Sequence, residues 1–290
     1  MKEGLLLKQN LTAQVPMLNL RDGNQLPQIG FDTFKLKGAQ GVNIIQQALK
    51  NGYRALDTAV NYENEGSVGK AIRCSSLQRE EIFISSKLPG RHHKYKEAVE
   101  EIQESLYRTQ LDYFDLYLIH WPNPLKDQYV EAWQALIDAQ RFGLVRSIGV
   151  SNFLPEHLDR LKKETGILPV VNQIELHPYW SQQQQLKYDR EHEIATQAWS
   201  PLGRANDVLQ DPVIKEIAVQ HKKTVPQIIL RWETQLGVSV IPKSSSTLRQ
   251  LQNLALFDFE LSKAEVAKII DLDQKNGRTN NQNPAVYQEF

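Results

Sequence analysis

The sequence predicts an α/β fold built on eight parallel strands. Two regularities lead there. From residue 29 onward short apolar runs alternate with amphipathic helical segments, and the apolar runs end in polar or ionisable residues. Strand–helix alternation implies a parallel sheet covered by helices.

In chain order, residues 1–15 read as a tail and residues 16–290 as one domain. Leu18 to Leu26 alternates around Asp22-Gly23, which is a β-hairpin pattern. The eight strands are expected over Ile29–Phe34, Ala55–Thr58, Ile82–Ser86, Phe114–Ile119, Ser147–Val150, Val170–Glu175, Ala195–Trp199 and Val238–Ile241. Between them, Asn43–Asn51 places Ile44, Ile45, Ala48 and Leu49 on one helical face and stops at Gly52. Lys94–Tyr107 repeats Val99, Ile102 and Leu106, and Tyr129–Phe142 carries Val130, Trp133, Leu136 and Ile137 before Gly143. Pro155 suits the first turn of a helix bearing Leu158 and Leu161. Ser262 followed three residues on by Glu265 is a capping box for the last helix. Periodicity alone does not separate an open doubly wound sheet from a closed barrel. No G-x-G-x-x-G follows the first strand, which weighs against a Rossmann fold.

Composition narrows the function classes. Among 290 residues, 34 Lys+Arg balance 34 Asp+Glu, so no net field recruits nucleic acid or an anionic membrane. The single cysteine, Cys74, cannot form an internal disulfide and is expected as a buried or half-buried helical side chain. The three-leucine run at Leu5–Leu7 is too short for a signal-peptide core, and no apolar run reaches the ~20 residues of a bilayer span. These features lead to the expectation of a soluble cytoplasmic protein. His92, His93 and His177 lack the spacing of a metal site, so no metal is expected.

The chemistry gathers where strands end. Strand two runs into Asp57, strand three into Lys87 and strand four into His120. Strand five ends at Ser151-Asn152, strand six holds Gln173, strand seven ends at Ser200 and strand eight reaches Lys243-Ser244. In a barrel these ends form one rim, where barrel enzymes place their chemistry. Spacing alone leaves a structural Asp57–Lys87 ion pair as open as a catalytic one. Tyr62, five residues past Asp57, gives the group a chemical purpose. A lysine beside the phenol is expected to stabilise phenolate and lower a pKa normally near ~10, so that Tyr62 acts as a general acid. His120 is expected to orient a carbonyl oxygen. Trp121 is a candidate pocket wall.

Long runs then resemble the aldo-keto reductase family from about Leu18 to Asn283. They include Leu56-Asp57-Thr58-Ala59-Val60-Asn61-Tyr62-Glu63-Asn64-Glu65, Ser86-Lys87-Leu88 and Asp115-Leu116-Tyr117-Leu118-Ile119-His120-Trp121-Pro122. Gly149-Val150-Ser151-Asn152-Phe153, Asn172-Gln173-Ile174-Glu175-Leu176-His177-Pro178, Ala198-Trp199-Ser200-Pro201-Leu202-Gly203 and Ile241-Pro242-Lys243-Ser244 continue the match. The resemblance is strongest to the bacterial branch containing 2,5-diketo-gluconate reductases.

The resemblance implies a (β/α)8 TIM barrel, its bottom closed by the N-terminal hairpin, binding NADPH across the rim and reducing small aldehydes and ketones. It implies a catalytic tetrad of Asp57, Tyr62, Lys87 and His120. Cofactor contacts are implied at Thr33, Ser151, Asn152, Gln173, Trp199, Ser200, Leu202, Lys243, Ser244, Arg249 and Asn253, and pocket walls at Phe34 and Trp121. Ser151, Asn152 and Gln173 would hold the nicotinamide carboxamide, Trp199 would stack on its ring, and Lys243, Ser244 and Arg249 would hold a 2′-phosphate. A small-molecule carbonyl partner and a monomer are implied. Two other functions share the scaffold: an aldolase with Lys87 as Schiff-base amine, and a non-catalytic NADPH sensor. The sequence departs from the pattern at Asp32, where a glycine is usual, at Trp199, where tyrosine is common, and at Gln252, where glutamate is frequent. Its polar C-terminal segment implies an open pocket and loose selectivity.

Overall fold

A computed structural model describes residues 15–205 and 207–289. Of the expected tail, residues 1–14 lie outside the described residues; Val15 packs against the core.

Two short strands, β1 (Met17–Asn19) and β2 (Gln25–Pro27), pair antiparallel. Gly23 sits at φ 87 in their turn, a conformation that costs glycine little. The remaining strands are β3 (Phe31–Asp32), β4 (Ala55–Asp57), β5 (Phe83–Leu88), β6 (Phe114–Ile119), β7 (Val145–Ser151), β8 (Val171–Glu175), β9 (Ala195–Trp199) and β10 (Ser239–Val240). They pair in sequence order and in parallel from β3 to β10. The circuit closes between its ends: Ile29 bridges Val240 in parallel, Gly30 N–H donates to Val240 at 2.8 Å, and Val240 N–H donates to Gln28 at 3.0 Å. The open-sheet alternative is thereby excluded, and the fold is a (β/α)8 barrel.

Helices cover the outside: α1 (Gly38–Asn51), α2 (Glu65–Arg73), α3 (Tyr95–Thr109), α4 (Tyr129–Arg141), α5 (Pro155–Thr165), α6 (Gln183–Glu191), α7 (Pro212–His221), α8 (Val225–Gln235), α9 (Thr247–Leu254) and α10 (Lys263–Ile270). The expected stops and starts hold. Gly52, at φ 112, returns its N–H to Ala48 and Leu49 and ends α1. Pro155 opens α5. Ser262 N–H donates to Glu265 Oε2 at 2.7 Å while Ser262 Oγ accepts from Glu265 N–H. Cys74 departs from expectation: it follows the last turn of α2, where the apolar face has run out, and is exposed.

The main core lies between strands and helices and includes Trp133, Trp232, Tyr53 and Phe153. A smaller cluster joins Leu20 and Leu26 of the hairpin to Leu116, Leu118, Val170 and Val171. Hairpin polar groups reach strand starts as well: Asn24 donates to Ser147 Oγ at 3.0 Å, which donates to Asp22 at 2.7 Å. The hairpin therefore plugs the N-terminal end of the barrel, as expected, and leaves the C-terminal rim for chemistry.

Candidate active site

Adjacent strand ends bring the four expected residues together. Asp57 closes β4, Lys87 lies one residue from the end of β5, and His120 follows β6 directly. A 3-10 turn over Val60–Tyr62, with Glu63 in the left-handed region at φ 51, carries Tyr62 back over the rim. Lys87 is fully buried, and burying an unpaired ammonium would be strongly unfavourable. Three acceptors surround it: Asp57 Oδ2 in direct contact, the Thr58 carbonyl at 2.9 Å and Tyr62 Oη at 3.4 Å. Asp57 Oδ1 in turn accepts from Ser85 Oγ at 2.9 Å and Gln173 Nε2 at 2.8 Å. The carboxylate is thus held on both oxygens. The Tyr62 and His120 rings stand edge-to-face, 6.0 Å apart between centroids.

The expectation of a lowered Tyr62 pKa is reversed. Burial pushes the phenol well above its ordinary value near 10, and the carboxyls of Asp32, Asp57 and Glu289 add to that; Arg204 opposes them. In this arrangement the lysine charge is largely spent on Asp57. Tyr62 therefore keeps its proton through the neutral range, the state a proton donor needs.

Asp32 pairs with Asp57 across β3 and β4, and its Oδ1 accepts from Phe34 N–H at 2.9 Å. Burial raises its carboxyl to about 7, Asp57 adds to the rise, and Lys87 and Lys243 oppose it. The substitution thus adds a titratable group beside the tetrad rather than merely altering packing.

The expected nicotinamide contacts already form a connected set. Ser151 Oγ donates to the Gln173 carbonyl at 2.8 Å. Asn152, at φ 64, donates from Nδ2 to the His120 carbonyl and to Ser151 Oγ, both at 2.9 Å. Gln173 Nε2 also donates to Gln197 Oε1 at 2.7 Å. Trp199 is half-buried at the end of β9 and donates from Nε1 to Asn152 Oδ1 at 2.8 Å. Ser200, at φ 50, opens a tight turn through Leu202 that is closed by Gly203 N–H on the Ser200 carbonyl at 2.9 Å. Further round, Lys243 and Arg249 are exposed, Ser244 is buried, and Asn253 is buried on α9. Ser246 caps that helix, accepting from Arg249 N–H. Thr33 stands apart: it is fully buried, and its hydroxyl donates to the Asp57 carbonyl at 2.9 Å.

Phe34 packs 5.0 Å from Tyr62, and Trp121 packs 4.5 Å from Tyr287. A cleft at the rim is lined by Trp121, Asn152, Trp180, Trp199 and Arg278. A larger depression, lined by Met17, Gln25, Arg54 and Phe83, opens beside the hairpin at the opposite end and holds none of the rim residues.

Several polar residues of the C-terminal segment bond to the barrel. Thr279 donates to Glu175 Oε1 from N–H at 2.8 Å and from Oγ1 at 2.7 Å. Arg278 lies over the Trp180 ring. Glu289 comes to 2.7 Å from His120 Nδ1. The segment borders the pocket, and Glu289 was not legible as a site residue: 169 positions separate it from His120, with no motif around it.

A closed parallel barrel with an ionisable cluster on its C-terminal rim defines the class as a barrel enzyme. The aldo/keto reductase family model matches residues 29–274. The chain is 45% identical to 2,5-diketo-D-gluconic acid reductase B of Corynebacterium sp., covering 95% of this chain and 99% of that protein. It is 46% identical to methylglyoxal reductase DkgA of Salmonella typhimurium, covering 90% and 95%. A crystal structure of a Gox0644 mutant in complex with NADPH superposes with a TM-score of 0.90 at 38% identity, covering 95% and 99%. The chain belongs to the aldo/keto reductase family.

Proposed function

We propose that the protein reduces small aldehydes and ketones with NADPH, with Tyr62 as the proton donor. One observation carries the reading: the Tyr62 hydroxyl lies 3.4 Å from a Lys87 ammonium that Asp57 and the Thr58 carbonyl already hold. Family membership and the NADPH complex of the Gox0644 relative support the cofactor.

The residues present fit that cofactor. Lys243 and Arg249 are exposed cations beside the N-terminus of α9, and neither makes an ion pair among the described residues. Two cations and a helix N-terminus suit a dianionic phosphate. Trp199 offers an aromatic face, Ser151, Asn152 and Gln173 offer hydroxyl and amide groups for a carboxamide, and the Ser200–Leu202 turn borders the path between.

NADPH, when bound, supplies the hydride. As negative charge grows on the carbonyl oxygen, Tyr62 gives it a proton, and Lys87 stabilises the phenolate left behind. Asp57 holds Lys87 in place. His120 hydrogen-bonds the same oxygen, and Phe34 and Trp121 wall the substrate. The Lys87 arrangement disfavours the aldolase reading, because a Schiff base needs a neutral amine and three acceptors hold the ammonium.

The relatives' names point to dicarbonyl compounds as the first substrates to try. The single cysteine supports a reducing, cytoplasmic setting, and the balanced charge is compatible with a monomer. Among the described residues no helix is long and apolar enough to cross a membrane.

A screen of NADPH oxidation over aldehydes, dicarbonyls, sugars and keto esters tests the function. Turnover of dicarbonyls supports it. Tight NADPH binding without turnover across the panel would favour a binding module instead, and a borohydride-trapped adduct on Lys87 would favour the aldolase.

A further inference from the structure

Glu289 sits where three rim loops meet. Asn123, after β6, clasps its backbone reciprocally: Nδ2 donates to the Glu289 carbonyl at 2.8 Å, and Glu289 N–H donates to Asn123 Oδ1 at 3.0 Å. Gly90, after β5, donates its N–H to Oε2 at 2.9 Å, and Asn61, after β4, donates from Nδ2 to Oε1 at 2.7 Å. Gly90 admits this arrangement because a Cβ there would lie 2.1 Å from the Asn123 amide nitrogen. Tyr287 against Trp121 adds an apolar anchor two residues earlier. Glu289 is 7% exposed, and a carboxylate buried to that degree requires donors. The third group at the carboxylate is His120, with Nδ1 2.7 Å from Oε1.

That contact sets where the ring lies. The approach is off the line of a regular hydrogen bond, so the carboxylate packs against Nδ1 without pairing to it. Nε2 makes no hydrogen bond among the described residues and is left for another partner.

We propose that Glu289 is a positioning residue of the active site: carried onto the rim by the C-terminal segment, its carboxylate sets the place of the His120 ring and leaves Nε2 for the substrate carbonyl. This rests on the reading of His120 and Tyr62 as the groups that meet the carbonyl oxygen. The C-terminal segment then has a catalytic consequence besides bordering the pocket, because a chain lacking its last two residues has an incomplete site.

Glu289 is the carboxylate in contact with the His120 ring. Tyr62 is held well above 10 by burial and neighbouring carboxyls. His93, after β5, is lowered to about 4 by burial and stays neutral near pH 7, with Glu289 opposing the shift. Asp57 and Lys87 are committed to each other. Asp32 on β3, Arg91 and His92 after β5, Lys126 after β6, Glu175 at the end of β8, Arg204 after β9, Lys243 after β10 and Arg278 of the C-terminal segment are further charged or titratable groups of the rim. Burial alone would raise Glu289, but His120 and the donors from Gly90 and Asn61 outweigh it and hold the carboxyl below its ordinary range.

The test compares wild type, Glu289→Gln, Glu289→Asp and a chain ending at Gln288. Histidine side-chain NMR signals, with His120 assigned by His120→Asn, report the surroundings of the ring without turnover. The proposal expects the His120 ring signals to move in Glu289→Gln. It expects at least a tenfold loss in kcat, NADPH affinity within twofold of wild type, and partial recovery in Glu289→Asp. The truncated chain should resemble Glu289→Gln. Unchanged His120 signals in both Glu289→Gln and the truncated chain would overturn the proposal. So would a loss confined to NADPH affinity. Failure of the underlying reading looks different: Tyr62→Phe would retain turnover whatever the ring signals show.

Discussion

Gln173 Nε2 donates to Asp57 Oδ1 at 2.8 Å, so the amide expected beside the nicotinamide also supports the carboxylate that holds Lys87. The residues proposed for the cofactor wall and those proposed for proton donation are one hydrogen-bonded unit. Gln173→Leu should therefore lower kcat as well as weaken NADPH. Loss of one charge-assisted donor is worth about 1.5–3 kcal/mol, on the order of a 10- to 100-fold drop in turnover. Steady-state kinetics with fluorescence titration of NADPH separates the two effects. A change in affinity alone would show that Asp57 does not depend on Gln173.

Asp57→Asn should destabilise the fold as well as impair turnover. It leaves the fully buried Lys87 without its counter-charge, and breaking a buried pair typically costs about 3–5 kcal/mol. Asp57→Asn with Lys87→Met should regain much of that stability and none of the activity. Urea midpoints check the first statement and NADPH oxidation the second.

Lys243→Ala and Arg249→Ala should each weaken NADPH by roughly tenfold, the order expected for one lost charge-assisted phosphate contact, and leave NADH nearly unchanged. Both side chains are exposed, so neither change should lower the melting temperature appreciably. Equal losses for the two cofactors would remove both residues from the 2′-phosphate site.

Glu233, inside α8, is fully buried, and neither carboxyl oxygen has a hydrogen-bond partner. Burial raises its pKa well above 4.5. The folded chain thus holds a proton that the unfolded chain releases above about that value. The stability from keeping this proton is fully present below it and drains as pH rises toward the folded value, at up to about 1.4 kcal/mol per pH unit. Glu233→Gln should gain on wild type between pH 5 and pH 8 in urea unfolding. A constant difference across that range would contradict the account.

The strand ends were legible because each apolar run stops at a polar residue, and β6 and β9 have the bounds their sequences predict. Barrel closure was not, since a bridge such as Ile29 to Val240 leaves no local pattern. α6 was hard to see because Gln182–Gln185 gives no apolar face before Leu186. Asp57, Lys87 and His120 could be grouped by rim position, but the state of Tyr62 could not: it depends on burial and on the carboxyls of Asp32, Asp57 and Glu289. Glu289 escaped notice because its role depends on where the chain end folds. The indole N–H of Trp199, a donor tyrosine lacks at that place, is satisfied by Asn152, which shows how this departure is accommodated.

Single-turnover NADPH oxidation by Tyr62→Phe, with a substrate that wild type reduces, is the most direct test of the central claim. Loss of the proton donor should slow the chemical step by about 10²–10⁴-fold while NADPH binds within twofold of wild type. A rate within threefold of wild type would contradict the assignment of Tyr62 as the acid.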